Sequence, residues 1–304
     1  VQGLSPPDDE LERLTAPLRN VVNKILAAAA KKRQDVLDGF LAAFPGNEAE
    51  VQKILLAIDL SDGPPTLDPA DDDPPVTAAH LLKGDTGDEW AWPGWIGSAS
   101  LSGVCAVEGL GKTRFFFDLV RRAAMHEPWP DGQAPTFPAG SRSLWLCSDG
   151  NHLEQAREAQ KAGIEDYVLF NGTEDDPYGF TDLDEFETLE RLDRNMGRHR
   201  PAMVVIDTLT NATSKNLCAQ SDVKILAGPL KDLCLKHKIP IVFSMHANKD
   251  GDVLGKRMRG VCRTLMKLES PDENDSSPPP GSMLRLTMHK SYAAKPAAIG
   301  VTIG

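Results

Sequence analysis

The chain has little of what marks a membrane or secreted protein. No apolar run approaches the roughly 20 residues that span a bilayer. Cysteine is scarce: five residues (105, 147, 218, 234 and 262), with no C-x-x-C pair among them. Cys105, Cys147 and Cys262 fall in apolar, strand-like runs, where a buried free thiol is the ordinary outcome. With no signal peptide in view, the expectation is a cytoplasmic protein that makes no use of a membrane. The seven histidines are scattered and show no metal-ligand spacing. No internal repeat is present. Positive charge is also in deficit. A net charge of −11 argues against a surface that binds nucleic acid all over. The deficit is uneven, however: residues 1–76 carry 14 acidic and 7 basic side chains, the remainder 30 and 26. A local basic groove in the second part stays open.

One glycine is missing as well, and its absence draws attention to what surrounds it. Ala106-Val107-Glu108-Gly109-Leu110-Gly111-Lys112-Thr113 is a G-x-x-x-x-G-K-[ST] phosphate loop with alanine at the first position. A triphosphate needs inward-pointing backbone N–H groups, a cation near its outer phosphates and a hydroxyl for Mg²⁺. Gly109 and Gly111 let the chain curl closely, Lys112 supplies the charge and Thr113 the hydroxyl. The helical pattern from Lys112 to Met125, with Arg114 in its first turn, turns its N-terminal dipole toward the phosphates. Alanine at 106 costs roughly 1 kcal/mol if the position needs a left-handed backbone, and nothing if it needs only a small side chain. Residues 106–114 are therefore the expected ATP contacts.

At 304 residues the chain has room for one large or two smaller domains. Residues 1–60 read as a helical segment, with Leu11, Leu14, Leu18, Val21, Val22 and Ile25 at three- and four-residue steps. A capping-box-like Asn47-Glu-Ala-Glu50 opens another helix. The segment is either a partner-binding or oligomerisation unit, or else a peripheral appendage or the tail of a preceding domain. Residues 61–76 are an acidic, proline-rich linker. From 77 to 304, strands and helices alternate, which implies an α/β fold with a mostly parallel sheet covered on both faces. Expected strands are 103–107, 143–148, 167–170, 202–206 and 240–245; expected helices are 112–125, 152–162, 183–198 and 220–237. Apolar runs at 261–268, 283–289 and 298–303 suggest a late antiparallel hairpin at one sheet edge.

Three strand ends carry polar groups. Asp207 closes Ala202–Ile206 and, beside a phosphate loop, would hold Mg²⁺ together with Thr113; Thr208, Thr210 and Asn211 follow it. Asp149 follows the strand at 143–148 and is either a catalytic base or water-orienting group, or a cap for the next helix, a role Asn151 could share. His246 ends 240–245 and is either a sensor of the nucleotide or a satisfied polar residue. In the loop beyond it, Lys256, Arg257, Arg259 and Arg263 form a basic cluster. It is either an arginine finger, a nucleic-acid contact or a solvated loop.

Taken in order, the phosphate loop, Asp149, Val204-Val-Ile-Asp207, His246, Arg259-Gly260 and Lys290 resemble the RecA-like AAA_25 ATPases, relatives of the RepA- and DnaB-type hexameric helicases. The resemblance covers about 77–304. It implies a RecA-like core with ATP sites between subunits of a ring, phosphates and Mg²⁺ on Lys112, Thr113 and Asp207, and a basic side chain supplied in trans. His246-Ala-Asn-Lys249 is similar to the family's H-x-x-K segment, Arg259 to its R-G step, and Lys290 to its late strand lysine. Two positions depart from the pattern. The second strand of the family usually ends in glutamate, where this chain has Ser148-Asp149, and Tyr292 replaces the arginine that follows the late lysine in the DnaB-like pattern. The finger role would then pass to Arg259, Arg263 or Lys295, or be weakened.

The resemblance thus implies an ATP-hydrolysing protein coupled to single-stranded DNA or replication proteins. A regulatory or assembly module that binds ATP and turns it over poorly is the alternative, favoured by Ser148. A small-molecule kinase fits less well, since the sheet and the 247–263 loop exceed what that chemistry needs.

Overall fold

The structure is a computed structural model that describes residues 90–247, 257–271 and 281–302. The helical pattern at 1–60, the linker at 61–76 and the residues Lys249 and Lys256 lie outside the described residues.

Among the described residues, ten strands and five α-helices follow one another. They are β1 (Trp90–Trp92), β2 (Ile96–Gly97), β3 (Leu101–Ala106), α1 (Lys112–Met125), β4 (Ser143–Cys147), α2 (His152–Lys161), β5 (Val168–Phe170), α3 (Phe186–His199), β6 (Val204–Asp207), α4 (Gln220–His237), β7 (Ile241–His246), α5 (Met258–Val261), β8 (Thr264–Glu269), β9 (Met283–Ser291) and β10 (Ile299–Thr302). Eight of the strands form one sheet in the order β10-β9-β8-β3-β7-β6-β4-β5. From β8 to β5 neighbouring strands run parallel; β9 and β10 close one edge antiparallel.

The central strands are apolar along their length because both faces are covered. Alternate residues serve opposite layers. Val104, Trp145, Val205 and Val242 pack under Phe115, Phe116 and Leu119 of α1. Cys105, Leu146, Ile206 and Phe243 face the other way, onto Leu192 and Met196 of α3 and Leu226 and Leu230 of α4. Helices α1 and α4 form over the ranges read from their apolar spacing, 112–125 and 220–237. Chain order and sheet order part company at β3: α1 carries the chain past β7 and β6 to β4, while β7 and β8 return to flank β3. The crevice at such a reversal, above the carboxyl ends of the strands, is where open α/β sheets bind ligands.

Two features differ from the pattern reading. The late segment is more than an antiparallel hairpin: β8 enters parallel to β3 and only β9 and β10 reverse. The turn of helix at α5 lets β8 re-enter in the direction of β3. The β1–β2 hairpin is a second addition, since Trp90-Ala-Trp-Pro-Gly-Trp95 is too short and too rich in turn formers to show an alternating pattern. Its tryptophans hold it down. Trp92 stacks on Trp95 and Trp129 with centroids 5.1 and 5.5 Å away, and the indole N–H groups of Trp92 and Trp95 both donate to Asp131 Oδ2.

Candidate functional site

Strand β3 ends at Ala106, whose backbone is extended and registered with His246 of β7. The left-handed backbone falls on Gly109 (φ 81°) and Gly111 (φ 93°) instead, where a side chain would be strained. Alanine at 106 is therefore compatible with the loop.

Helix α1 begins directly after this turn, and its first residues are unusual for a helix start. Gly111 provides no side-chain cap, the first turn holds no acid, and it carries Lys112 and Arg114. Cations at the positive end of the helix dipole are unfavourable, and uncapped N–H groups need an acceptor. An anion meets both needs. Lys112 is buried, 7% exposed, with Nζ turned back on the loop, donating to Val107 O (3.1 Å) and Ala106 O (3.4 Å) and lying 3.5 Å from His246 Nδ1. Burial pulls its pKa below the usual lysine range, against the opposing pull of Asp207 and other nearby acids.

Strand β7 lies between β3 and β6, so its end brings His246 and Ser244 between the loop and Asp207. Asp207 is 1% exposed. Its Oδ2 accepts from Thr113 Oγ1 at 2.6 Å and its Oδ1 from Ser244 Oγ at 2.5 Å. Burial raises its pKa, and the two hydroxyls oppose that rise. His246 is shifted down, first by burial and then by the Lys112 charge. Thus residues 94 positions apart share one hydrogen bond at the mouth of the sheet.

The end of β4 answers two open readings. Ser148 Oγ accepts from Thr208 N (2.8 Å) and donates to Thr208 O (2.7 Å), clamping β4 to the residue after Asp207. Asp149 is exposed and accepts from Asn211 Nδ2 at 2.5 Å. Of the two residues offered as a cap, Asn151 and not Asp149 takes the N-cap position of α2, without a side-chain capping hydrogen bond. The charge of Asp149 instead acts on Lys112, Asp207 and His246.

Arg259 and Lys290 lie elsewhere, with Arg259 exposed on α5. Lys290, on β9 two strands from β3, donates to Arg259 O and to Cys262 O (2.8 Å), and its ammonium sits 4.2 Å over the Tyr292 ring. Arg263 stacks on Trp90, and Lys295 donates to His289 O. Among the described residues, no hydrogen bond joins Arg259 or Lys290 to Lys112, Thr113, Asp207 or His246.

Ser244 is the site residue that pattern reading missed. Its signal was a lone hydroxyl in an apolar strand, two residues before His246 and therefore on the same face.

The donor set fits Mg²⁺. Thr113 Oγ1 and Asp207 Oδ2 are hard oxygens aimed at one another, and Mg²⁺ takes few protein ligands, the rest coming from phosphate and water. Among the described residues no group of three His, Cys, Asp or Glu side chains could hold a metal. Bound there, Mg²⁺ would neutralise charge building on the phosphates.

A phosphate loop with a buried lysine, a hydroxyl and a strand-end carboxylate at the reversal of a parallel sheet defines a P-loop ATPase domain with a RecA-like core. The chain belongs to the AAA_25 family, an AAA domain, whose pattern matches residues 64–252. A crystal structure of a KaiC-like protein from the hyperthermophilic archaeon Pyrococcus horikoshii OT3 is similar over 69% of this chain and 88% of that one, at 14% identity and a TM-score of 0.47. No curated protein matches. Among the described residues no helix is long and apolar enough to cross a membrane.

Proposed function

We propose that the chain binds and hydrolyses ATP with Mg²⁺ and couples turnover to single-stranded DNA, as a cytoplasmic helicase or replication-associated motor working as a hexameric ring. Residues 106–114 cradle the nucleotide, Lys112 meets the outer phosphates, and Thr113 and Asp207 hold the metal. Asp149 orients or deprotonates the attacking water, while His246 responds to the ligand through Lys112. Arg259 and Lys290 act on the site of the next subunit. One observation carries the nucleotide site: the uncapped, cationic start of α1 facing the Thr113–Asp207 pair. That arrangement is costly without an anion and favourable with one.

A steady-state ATPase assay with and without single-stranded DNA, at two salt concentrations, tests the coupling. Stimulation by DNA that fades as salt rises is expected of a motor on a charged strand. An ATPase rate indifferent to DNA at both salts removes the DNA part of the reading.

A second reading, a regulatory or assembly module with weak hydrolysis, draws on Ser148. The hydroxyl at the family's glutamate position is occupied in holding Thr208, which leaves Asp149 as the one acid at the end of β4. The Asp149→Asn variant separates the two. The motor reading expects nucleotide binding to persist and turnover to fall on the order of 100-fold or more; unchanged turnover would rule Asp149 out as the catalytic acid.

A further inference from the structure

We propose that Ser244 is a positioning residue for the metal site, holding Asp207 so that one carboxylate oxygen is presented to Mg²⁺. The inference rests on the reading of Thr113 and Asp207 as the metal-binding pair.

Strand phase places the groups together. Ser244 and His246 are two apart on β7, and Val205 and Asp207 two apart on β6, so all four serve the α1 face of the sheet. The β6–β7 register, Ile206 opposite Phe243, brings Asp207 beside Ser244. Backbone contacts hold that pairing, since Leu209 N donates to Ser244 O at 3.0 Å.

The two donors to Asp207 are not equivalent. Thr113 stands at the start of α1, half-buried, where its hydroxyl can turn from Oδ2 toward a metal. Ser244 is 0% exposed inside the sheet, donates to the opposite oxygen, and has no route to a ligand. With Thr113 engaged by a metal, Ser244 would be the hydroxyl donor left to Asp207. A carboxylate this buried needs such a donor to stay oriented, because a buried polar oxygen left without a partner is costly. Outer-shell partners of this kind commonly set metal affinity while leaving the ligands unchanged.

Fluorescent-nucleotide binding to the full chain tests the inference. It is titrated with Mg²⁺ and repeated in excess chelator, for wild type, Ser244→Ala and Ser244→Thr, with circular dichroism checking the fold. Ser244→Ala is expected to raise the half-saturating Mg²⁺ concentration by about 10- to 100-fold. Binding in chelator, which depends on Lys112 and the loop, should match wild type, and Ser244→Thr should recover much of the Mg²⁺ response. A folded Ser244→Ala with the Mg²⁺ response of wild type overturns the inference alone. So does an equal loss of binding with and without Mg²⁺, which would mark Ser244 as merely structural. A wild-type chain whose nucleotide binding ignores Mg²⁺ overturns the metal-pair reading and this inference with it.

Discussion

Polar side chains in this domain are placed where a second group makes them tolerable, and Asp193 shows how that translates into pH dependence. It accepts from Lys236 at 2.7 and 2.8 Å and from His237 Nε2 at 2.6 Å, tying α3 to α4. Hydrogen bonding to Lys236, ahead of His237, holds its pKa below the usual aspartate range. A depressed carboxylate stabilises the fold above its unfolded pKa, and the gain disappears as pH falls through the folded value. Asp193→Asn should therefore lower the urea midpoint at neutral pH by an amount worth up to about 1 kcal/mol, since the pair is partly solvated. The gap to wild type should shrink as pH falls below the ordinary aspartate range and through the depressed folded value. A gap independent of pH would mean that the carboxylate charge is not what ties the helices. Lys112, Thr113 and Asp207 were legible in the sequence because their chemistry is encoded in local spacing. Ser244 and the Ser148–Thr208 clamp were not, because each depends on which strand lies next to which. For Asp149 the local pattern left a catalytic or water-orienting acid and a helix cap both open; its contact to Asn211 could not be read from that pattern.

At the scale of elements, the strands and helices between 101 and 246 follow from apolar runs and helical spacing, with boundaries off by one to three residues in most cases. Sheet order does not follow from such patterns, and neither does the direction of β8, because both are set by crossovers longer than any local signal. The central position of β3 has a cost that the sequence shows only as Gly103. A Cβ there would lie 2.8 Å from Leu265 Cδ1 and 3.0 Å from Phe243 Cε2, side chains from the strands on either side. Both neighbours are fully buried, so neither can swing into solvent. Gly103→Ala is expected to destabilise the domain by about 1–3 kcal/mol despite alanine's lower chain entropy. The urea midpoint should drop with little change in slope. A midpoint at or above that of wild type would show that β7 and β8 can part without penalty, and that β3 is not the rigid base of the phosphate loop.

For the whole molecule, the charges gathered at the phosphate loop are a liability that a bound anion would offset. Burial works against the charge on both Lys112 and Asp207, and the start of α1 gathers cations where a helix prefers anions. On the proposed reading such a site weakens the ligand-free domain and a bound phosphate would relieve it, so local chemistry should be readable in global stability. ATP with Mg²⁺ at about 100 times its Kd would add about 2.7 kcal/mol. In a domain of this size that raises the melting temperature by about 5–10 °C. On the proposed reading, Lys112→Ala removes a buried charge along with the phosphate contact. The apo variant should therefore melt no lower than wild type, while the shift on adding nucleotide disappears. Differential scanning calorimetry distinguishes this from simple damage: a misfolded variant melts low with or without ligand, whereas loss of the site alone leaves a stable domain that ATP no longer moves. A Lys112→Ala protein that still gains the full shift would mean that the anion binds elsewhere, and that the cationic start of α1 is not the nucleotide site.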